Sequence, residues 1–253
     1  MAHAGGAVSR GGFPLPRRCR AVSRQAGVFS RLIRWATRSH FSHAALIFLV
    51  PKPDDGFDSV FVIESVPSGV DITNLRHYAI DYSDAYDVAI RRLEKEWFTP
   101  DVQRLVRGRM PNFIKAEYDF ATIVAIARSV LQRLMFGLRM RLSGLEPTLR
   151  RTYARGGLAP ASFICSGFVQ YGFIDAIRSL VREGKLAPAA LDDVLFGASL
   201  TPQSGTVQIL ATTPEDVAAT PKLAWKYVVI GRQVHPVASA ADAARLLGRR
   251  AAW

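Results

Sequence analysis

Apolar positions along the chain follow two spacings, one near two residues and one near 3.6, and the switches between them mark the elements. Phe41 to Val50 is an almost unbroken apolar run containing one histidine, the pattern of a buried strand. Pro51-Lys52-Pro53-Asp54-Asp55-Gly56 has turn chemistry, and Ser59 to Glu64 reads as the returning strand. Val70-Asp71-Ile72 follows a Pro67-Ser68-Gly69 turn, and strands are also predicted over Tyr86–Ile90, Ser204–Leu210 and Trp225–Ile230. Helical spacing covers Val28–Ala36, Asp101–Arg109 (begun at Thr99-Pro100), and the stretch from Phe120 to Leu142. It returns in Phe168, Val169, Phe173, Ile174, Ile177, Leu180 and Val181, in a short helix capped by Thr212 or Thr213, and over Ala238–Leu247. Leu186–Leu200 reads as helix and loop. The elements are a mixture of strands and helices.

The first hairpin brings two polar residues together. If it is symmetric about its loop, Val50 faces Phe57, partners have numbers summing to 107, and His43 lies opposite Glu64. Opposed side chains share a face with Cβ atoms roughly 4.5–5.5 Å apart, within reach of a carboxylate–imidazole contact. A slip of one residue would separate them, so the pairing depends on the turn count. His43 alone also reads as a satisfied core histidine. A glutamate at the end of the neighbouring apolar strand needs a partner, which brings the paired reading level with that one.

Cys165 stands where the Gly- and Pro-containing run Gly156-Gly157-Leu158-Ala159-Pro160 gives way to the helix beginning near Phe168. In the first turn of a helix, unpaired N–H groups and the positive dipole end lower a thiol's pKa. They also supply donors for a developing oxyanion. The plain alternative is a small core residue, since free cysteine is among the most buried types.

Composition bounds these readings. A chain of 253 residues, 49% hydrophobic and 21% charged, can bury a full core. Two cysteines, Cys19 and Cys165, make no disulfide framework and suit a reducing compartment. Lys and Arg number 33 against 21 Asp and Glu, a net charge of +12. No acidic residue precedes Asp54, and seven arginines lie between Arg128 and Arg155 against the single Glu146. Such stretches are either solvated basic faces or patches for polyanions, an anionic membrane surface among them. No zinc spacing, Gly-aromatic signature or helix-turn-helix cue points to nucleic acid, and nothing calls for a metal or cofactor. The N-terminus has no apolar signal core, and arginines interrupt the apolar face of Phe120–Leu142, so a cytoplasmic protein is expected, with peripheral membrane contact left open. The expected layout is a mobile basic arm over 1–27, a folded domain over 28–236 and an Ala-rich helical tail over 237–253.

Cys165-Ser166-Gly167-Phe168-Val169-Gln170 resembles the nucleophile motif of the NlpC/P60 papain-like superfamily. Ser42-His43-Ala44-Ala45-Leu46 resembles its histidine strand, and Ile63-Glu64-Ser65 with Gly69-Val70 its third-residue strand. Histidine precedes cysteine here. That order, with Tyr118-Asp119 between the halves and Thr213-Pro214-Glu215-Asp216-Val217 after the cysteine helix, is similar to the circularly permuted YiiX/YaeF-like branch. The branch's opening Gly-Asp strand motif is not evident before Val28. The resemblance implies an α+β, permuted papain-like fold, with a cysteine helix packed on an antiparallel sheet or barrel. It implies a thiol hydrolase or acyltransferase in which Cys165 is nucleophile, His43 general base and acid, and Glu64 the group that orients His43. Its substrates would carry an amide, ester or thioester, as in a peptide, a peptidoglycan fragment or a lipid. An alternative keeps the usual order and uses His235, at a strand end beside Pro236 with no obvious carboxylate strand after it. A further alternative is a non-catalytic module that binds lipid or peptide in the same cleft.

Overall fold

A computed structural model describes residues 20–23, 34, 39–119, 122–124, 160 and 162–248. The helices expected over Val28–Ala36 and Phe120–Leu142 lie outside these residues, except for Arg34 and Thr122–Val124, which are helical. The second basic stretch and Cys19 also lie outside.

The chain is α+β, built on a seven-stranded antiparallel sheet. Its strands are β1 (Arg20–Ser23), β2 (His43–Leu49), β3 (Phe61–Val66), β4 (Gly69–Asn74), β5 (Val88–Arg92), β8 (Ala224–Ile230) and β9 (Gln233–Pro236), in the order β4-β3-β2-β1-β5-β8-β9. Two short strands, β6 (Glu117–Tyr118) and β7 (Ser162–Phe163), pair in parallel elsewhere. The helices are α1 (Pro100–Arg109), α2 (Cys165–Arg182), α3 (Ala189–Asp193), α4 (Thr206–Leu210), α5 (Pro214–Ala219) and α6 (Ala240–Gly248).

Alternation along the central strands divides the core in two. Ala44, Leu46, Ile63, Ala89 and Val228 face the larger cluster, filled by Phe168, Phe173, Ile174 and Ile177 of α2. Ala45, Ile47, Val62, Val88, Ile90 and Val229 face the other side, closed by Leu75 and Ala79 around a π-helical turn, His77–Asp81. This two-faced burial explains why the strands read as continuous apolar runs rather than as alternating ones.

Two close fits set where α2 lies. A Cβ on Gly167 would stand 2.1 Å from the carbonyl oxygen of Leu210, so the backbones of α2 and α4 touch there. Gln170, fully buried, donates from Nε2 to the Val194 carbonyl (2.6 Å) and accepts the Phe196 N–H on Oε1 (2.7 Å). A buried amide with both ends bonded fixes the helix rotation as well as its position.

Three expectations need correction. Residues 20–23 are not part of a mobile arm: they form β1, pairing Ser23 with His43 on one side and with Val88 on the other. A four-residue strand held by backbone bonds from both neighbours needs no apolar pattern, so composition did not reveal it. Ser204–Leu210 is not a strand; Thr206–Leu210 is helical. Its β-branched residues are overruled by docking on Gly167, and Gln208 Oε1 accepts the Gly205 N–H at 3.0 Å to close its first turn. The tail is helical over Ala240–Gly248, and Val237, Ala243 and Leu247 are buried in the same cluster as Val228. The hairpin register also differs, as described with the site. The α1 and α5 starts agree with expectation: Thr99 precedes Pro100, and Thr213 caps α5 by accepting the Asp216 N–H at 3.1 Å. Among the described residues no helix is long and apolar enough to cross a membrane.

Candidate active site

Cys165 is the first residue of α2, after Ile164 in extended conformation (φ −84°, ψ 158°). The helical ladder begins with the Phe168 N–H donating to the Ile164 carbonyl at 2.8 Å, so the amides before it have no partner within the helix. Three contacts hold the approach to the cysteine. Ser65 Oγ donates to the Phe163 carbonyl (3.1 Å), the Asp119 N–H donates to the same oxygen (2.9 Å), and β6 runs beside β7. Just past the cysteine, Ser166 Oγ donates to the Thr212 carbonyl at 2.6 Å.

His43 is the first residue of β2, at the end of the sheet. Its Nε2 lies 2.5 Å from Glu64 Oε2. The two are not directly opposite. Leu46 pairs with Ile63 and Ile47 with Val62, a register that continues to Ala45 beside Glu64 and makes His43 its diagonal neighbour. The register differs from the expected one because the connection is a 3-10 helix, Pro53–Ser59, rather than a tight turn, and β3 starts only at Phe61. The displacement is two residues, so the face is unchanged.

The thiol is hydrogen-bonded to His43 and also receives the backbone N–H groups of Ala44 and Ser166. Burial by itself would raise the thiol and lower the imidazole. Their mutual attraction outweighs it, so Cys165 is held below the usual thiol range and His43, with Glu64 adding to the pull, is pushed up to about 10. Burial likewise works to raise Glu64, but the His43 charge and hydrogen bonds from His43, Tyr78 and Thr73 bring it below the usual carboxylate range. Both shifts favour the charged forms, drawing the two residues toward a thiolate–imidazolium pair beside the carboxylate.

Exposure falls inward through the site. The His43 side chain is 15% exposed, Cys165 is 2% exposed and Glu64 is sealed at 0%. Tyr118 flanks the sulfur, and burial followed by the negative charges of Cys165 and Asp119 keeps its phenol protonated.

Cys165, His43 and Glu64 therefore meet as expected. His235 does not join them. It pairs with Val228 on β9, and three strands separate β9 from β2; four steps of about 4.8 Å put the two strands roughly 19 Å apart. No family model matches the chain, and no curated protein matches it. The reading of the site rests on its geometry.

Tyr78 escaped the sequence reading. Its Oη donates to Glu64 Oε1 at 2.6 Å. Glutamate's second oxygen needs a donor wherever the carboxylate is buried, and that requirement is the one signal that pointed to such a residue. Nothing in the sequence singled out Tyr78 from its neighbours. Among the described residues no group of three His, Cys, Asp or Glu side chains is arranged to hold a metal ion.

Proposed function

We propose that this protein is a cysteine-dependent hydrolase or acyltransferase of the circularly permuted NlpC/P60 papain-like kind. One observation carries the proposal: a single imidazole contacts a carboxylate through Nε2 and is hydrogen-bonded to the thiol at the start of a helix. A nucleophile beside a base that is itself oriented by a third group is the general arrangement of covalent acyl transfer. The cysteine helix packed on an antiparallel sheet, with the histidine strand earlier in the chain, supports the permuted fold.

In this mechanism the Cys165 thiolate attacks the carbonyl carbon of an amide, ester or thioester. Negative charge gathers on the carbonyl oxygen at the positive end of α2, where first-turn amides favour it. The tetrahedral adduct collapses, the bond to the leaving group breaks, and His43 gives that group its proton. A thioester on Cys165 remains. Water or another acceptor then loses a proton to neutral His43 and attacks the thioester, releasing the acyl group and the thiolate. Glu64 stays ionised and stabilises the imidazolium that each cycle regenerates. An acyl-bearing peptide, peptidoglycan fragment or lipid fits this chemistry, and the positively charged chain is suited to an anionic surface.

The near-complete burial of the sulfur favours a second reading, a binding module that keeps the constellation without using it. Labelling by an electrophilic acyl probe separates the two. A probe adduct on Cys165 that disappears in Cys165→Ser and in His43→Ala supports the enzyme. A folded wild-type chain that takes no label overturns it.

A further inference from the structure

We infer that Tyr78 is a positioning residue of this site, pinning one oxygen of Glu64 so that the other is aimed at His43 Nε2. The inference rests on the hydrolase reading and extends the triad by one residue. Glu64 Oε2 meets His43 at 2.5 Å and Oε1 meets Tyr78 Oη at 2.6 Å, so both oxygens of a fully buried carboxylate are committed. A carboxylate held at one oxygen alone can turn about its last torsion, which is soft. Held at both, it presents one fixed acceptor to the imidazole.

Tyr78 is itself held in place. It lies on the π-helical turn His77–Asp81, its N–H donates to the Leu75 carbonyl at 3.1 Å, and its ring meets Tyr86 edge to face at 5.0 Å. Its chemistry also matters. A phenol donates to the charged carboxylate without neutralising it, so the Glu64 charge remains available to the imidazolium. An arginine or lysine in its place would compete for that charge. The other groups facing Glu64 are consistent with this. His43 comes from β2 as the intended partner, and Thr73 of β4 lies within hydrogen-bonding distance of both Glu64 and Tyr78. Asp71, directly opposite on β4, is exposed and accepts its own neighbour's N–H, from Ile72, at 2.7 Å.

The test uses the full chain in a Cys19→Ser background, with the rate of Cys165 alkylation by iodoacetamide followed against pH. In Tyr78→Phe the plateau is expected to fall roughly tenfold. Its acid limb should move up by about one pH unit, because Glu64 takes its proton earlier and the imidazolium then loses its anchor. Placing 3-fluorotyrosine at position 78 keeps the ring and strengthens the donor, so the limb should move down. Tyr78→Phe added to Glu64→Gln should change nothing further, since the tyrosine acts only through that carboxylate. Profiles for both position-78 variants that superimpose on wild type, or full additivity in the Glu64→Gln background, would overturn the inference. A wild-type chain with an ordinary thiol profile removes the hydrolase reading and the inference together, whereas a reactive wild type indifferent to position 78 removes the inference alone.

Discussion

His43 and Glu64 share one face of the sheet because β2 carries an extra residue, Phe48. Leu49 pairs with Phe61, yet Ile47 pairs with Val62, so Phe48 has no opposite number. Had pairing continued regularly from Leu49, the numbers of partners would sum to 110, and His43 and Glu64 would point to opposite faces. The bulge reconciles a register set by the Pro53–Ser59 loop with the one the site requires, and Arg107 Nη1 takes up the Phe48 carbonyl at 3.2 Å.

Deleting Phe48 should therefore leave the site intact. Both flanking pairs survive the deletion, and the strand becomes regular. Expected is Cys165 alkylation within about threefold of wild type, with a lower melting temperature because a partly buried ring is lost. A folded deletion variant with unreactive Cys165 would show that the bulge shapes the site directly.

Glu64→Gln keeps the shape of the side chain and removes its charge. One of the two pulls that raise His43 disappears, so the basic limb of the alkylation profile should fall below its wild-type position near pH 10, and reactivity at pH 6 should drop by tenfold or more. Unchanged limbs would mean that the carboxylate only fills space.

The sequence made the thiol, the imidazole and the carboxylate legible for different reasons. Cys165 announces itself by standing where turn residues give way to helical spacing, and α2 begins at that residue. His43 and Glu64 are polar intrusions at the ends of two apolar runs, and the inferred shared face survived because the bulge at Phe48 trims the three-residue offset at the loop to two. Partners supplied from far along the chain were not legible. Tyr78 belongs to a π-helical turn with no period to reveal it, and the carbonyls that surround Arg91 come from more than a hundred residues away. Ser204–Leu210 carries a local strand signal that docking on Gly167 overrides. The β1 strand had no side-chain signal, because its place between β2 and β5 is held by backbone pairing.

Gly167→Ala should be severe. The new methyl would meet backbone, the Leu210 carbonyl at 2.1 Å, and α2 cannot shift away without moving Cys165 and Gln170. Overpacking with no flexible side chain to yield costs on the order of 3 kcal/mol or more. Gly108→Ala is the contrast. It sits inside α1 with nothing within 4 Å of the added Cβ, so a gain of about 0.5–1 kcal/mol is expected. Denaturant titration of the two variants reads both signs.

Arg91, 2% exposed, is a buried cation anchored by backbone rather than by a carboxylate. Its guanidinium donates to the carbonyls of Val217 (2.8 Å), Ala218 (2.6 Å), Thr220 (2.7 Å) and Leu223, and it lies 4.7 Å from the Trp225 ring. The first two acceptors are at the end of α5, where helix carbonyls lack partners. Arg91→Met would strand several carbonyls at once and should cost about 3–5 kcal/mol. Arg91→Lys should recover only part of that, because one ammonium cannot span the set. Equal stability of the lysine variant and wild type would contradict the bridging role.

The opposite shifts of Cys165 and His43 have a consequence for stability as pH changes. His43 is raised from 6.5 to about 10 on folding, so its contribution is complete below 6.5 and is lost as pH climbs through 10. Cys165 is lowered from 9.0, so its contribution is complete above 9.0 and is lost as pH falls through its folded value. Between 6.5 and 9.0 the unfolded chain has released the imidazole proton that the folded chain keeps, and keeps the thiol proton that the folded chain has released. The two slopes cancel wherever the folded thiol remains ionised. From 9.0 to 10 only the histidine slope remains, and stability should fall by about 1.4 kcal/mol per pH unit. Comparing unfolding free energies of wild type and the Cys165→Ser/His43→Gln double variant at several pH values isolates the pair, because other titrating groups are common to both. A difference that is flat from neutrality to pH 9 and then declines means that the folded pair holds one proton in that range, and thiolate ultraviolet absorbance at neutral pH, present in wild type and absent in Cys165→Ser, places that proton on the imidazole. A difference that slopes across the neutral range would mean that folding shifts only one of the two groups, and a wild type without the thiolate absorbance would mean that the two rest as a neutral thiol and a neutral imidazole.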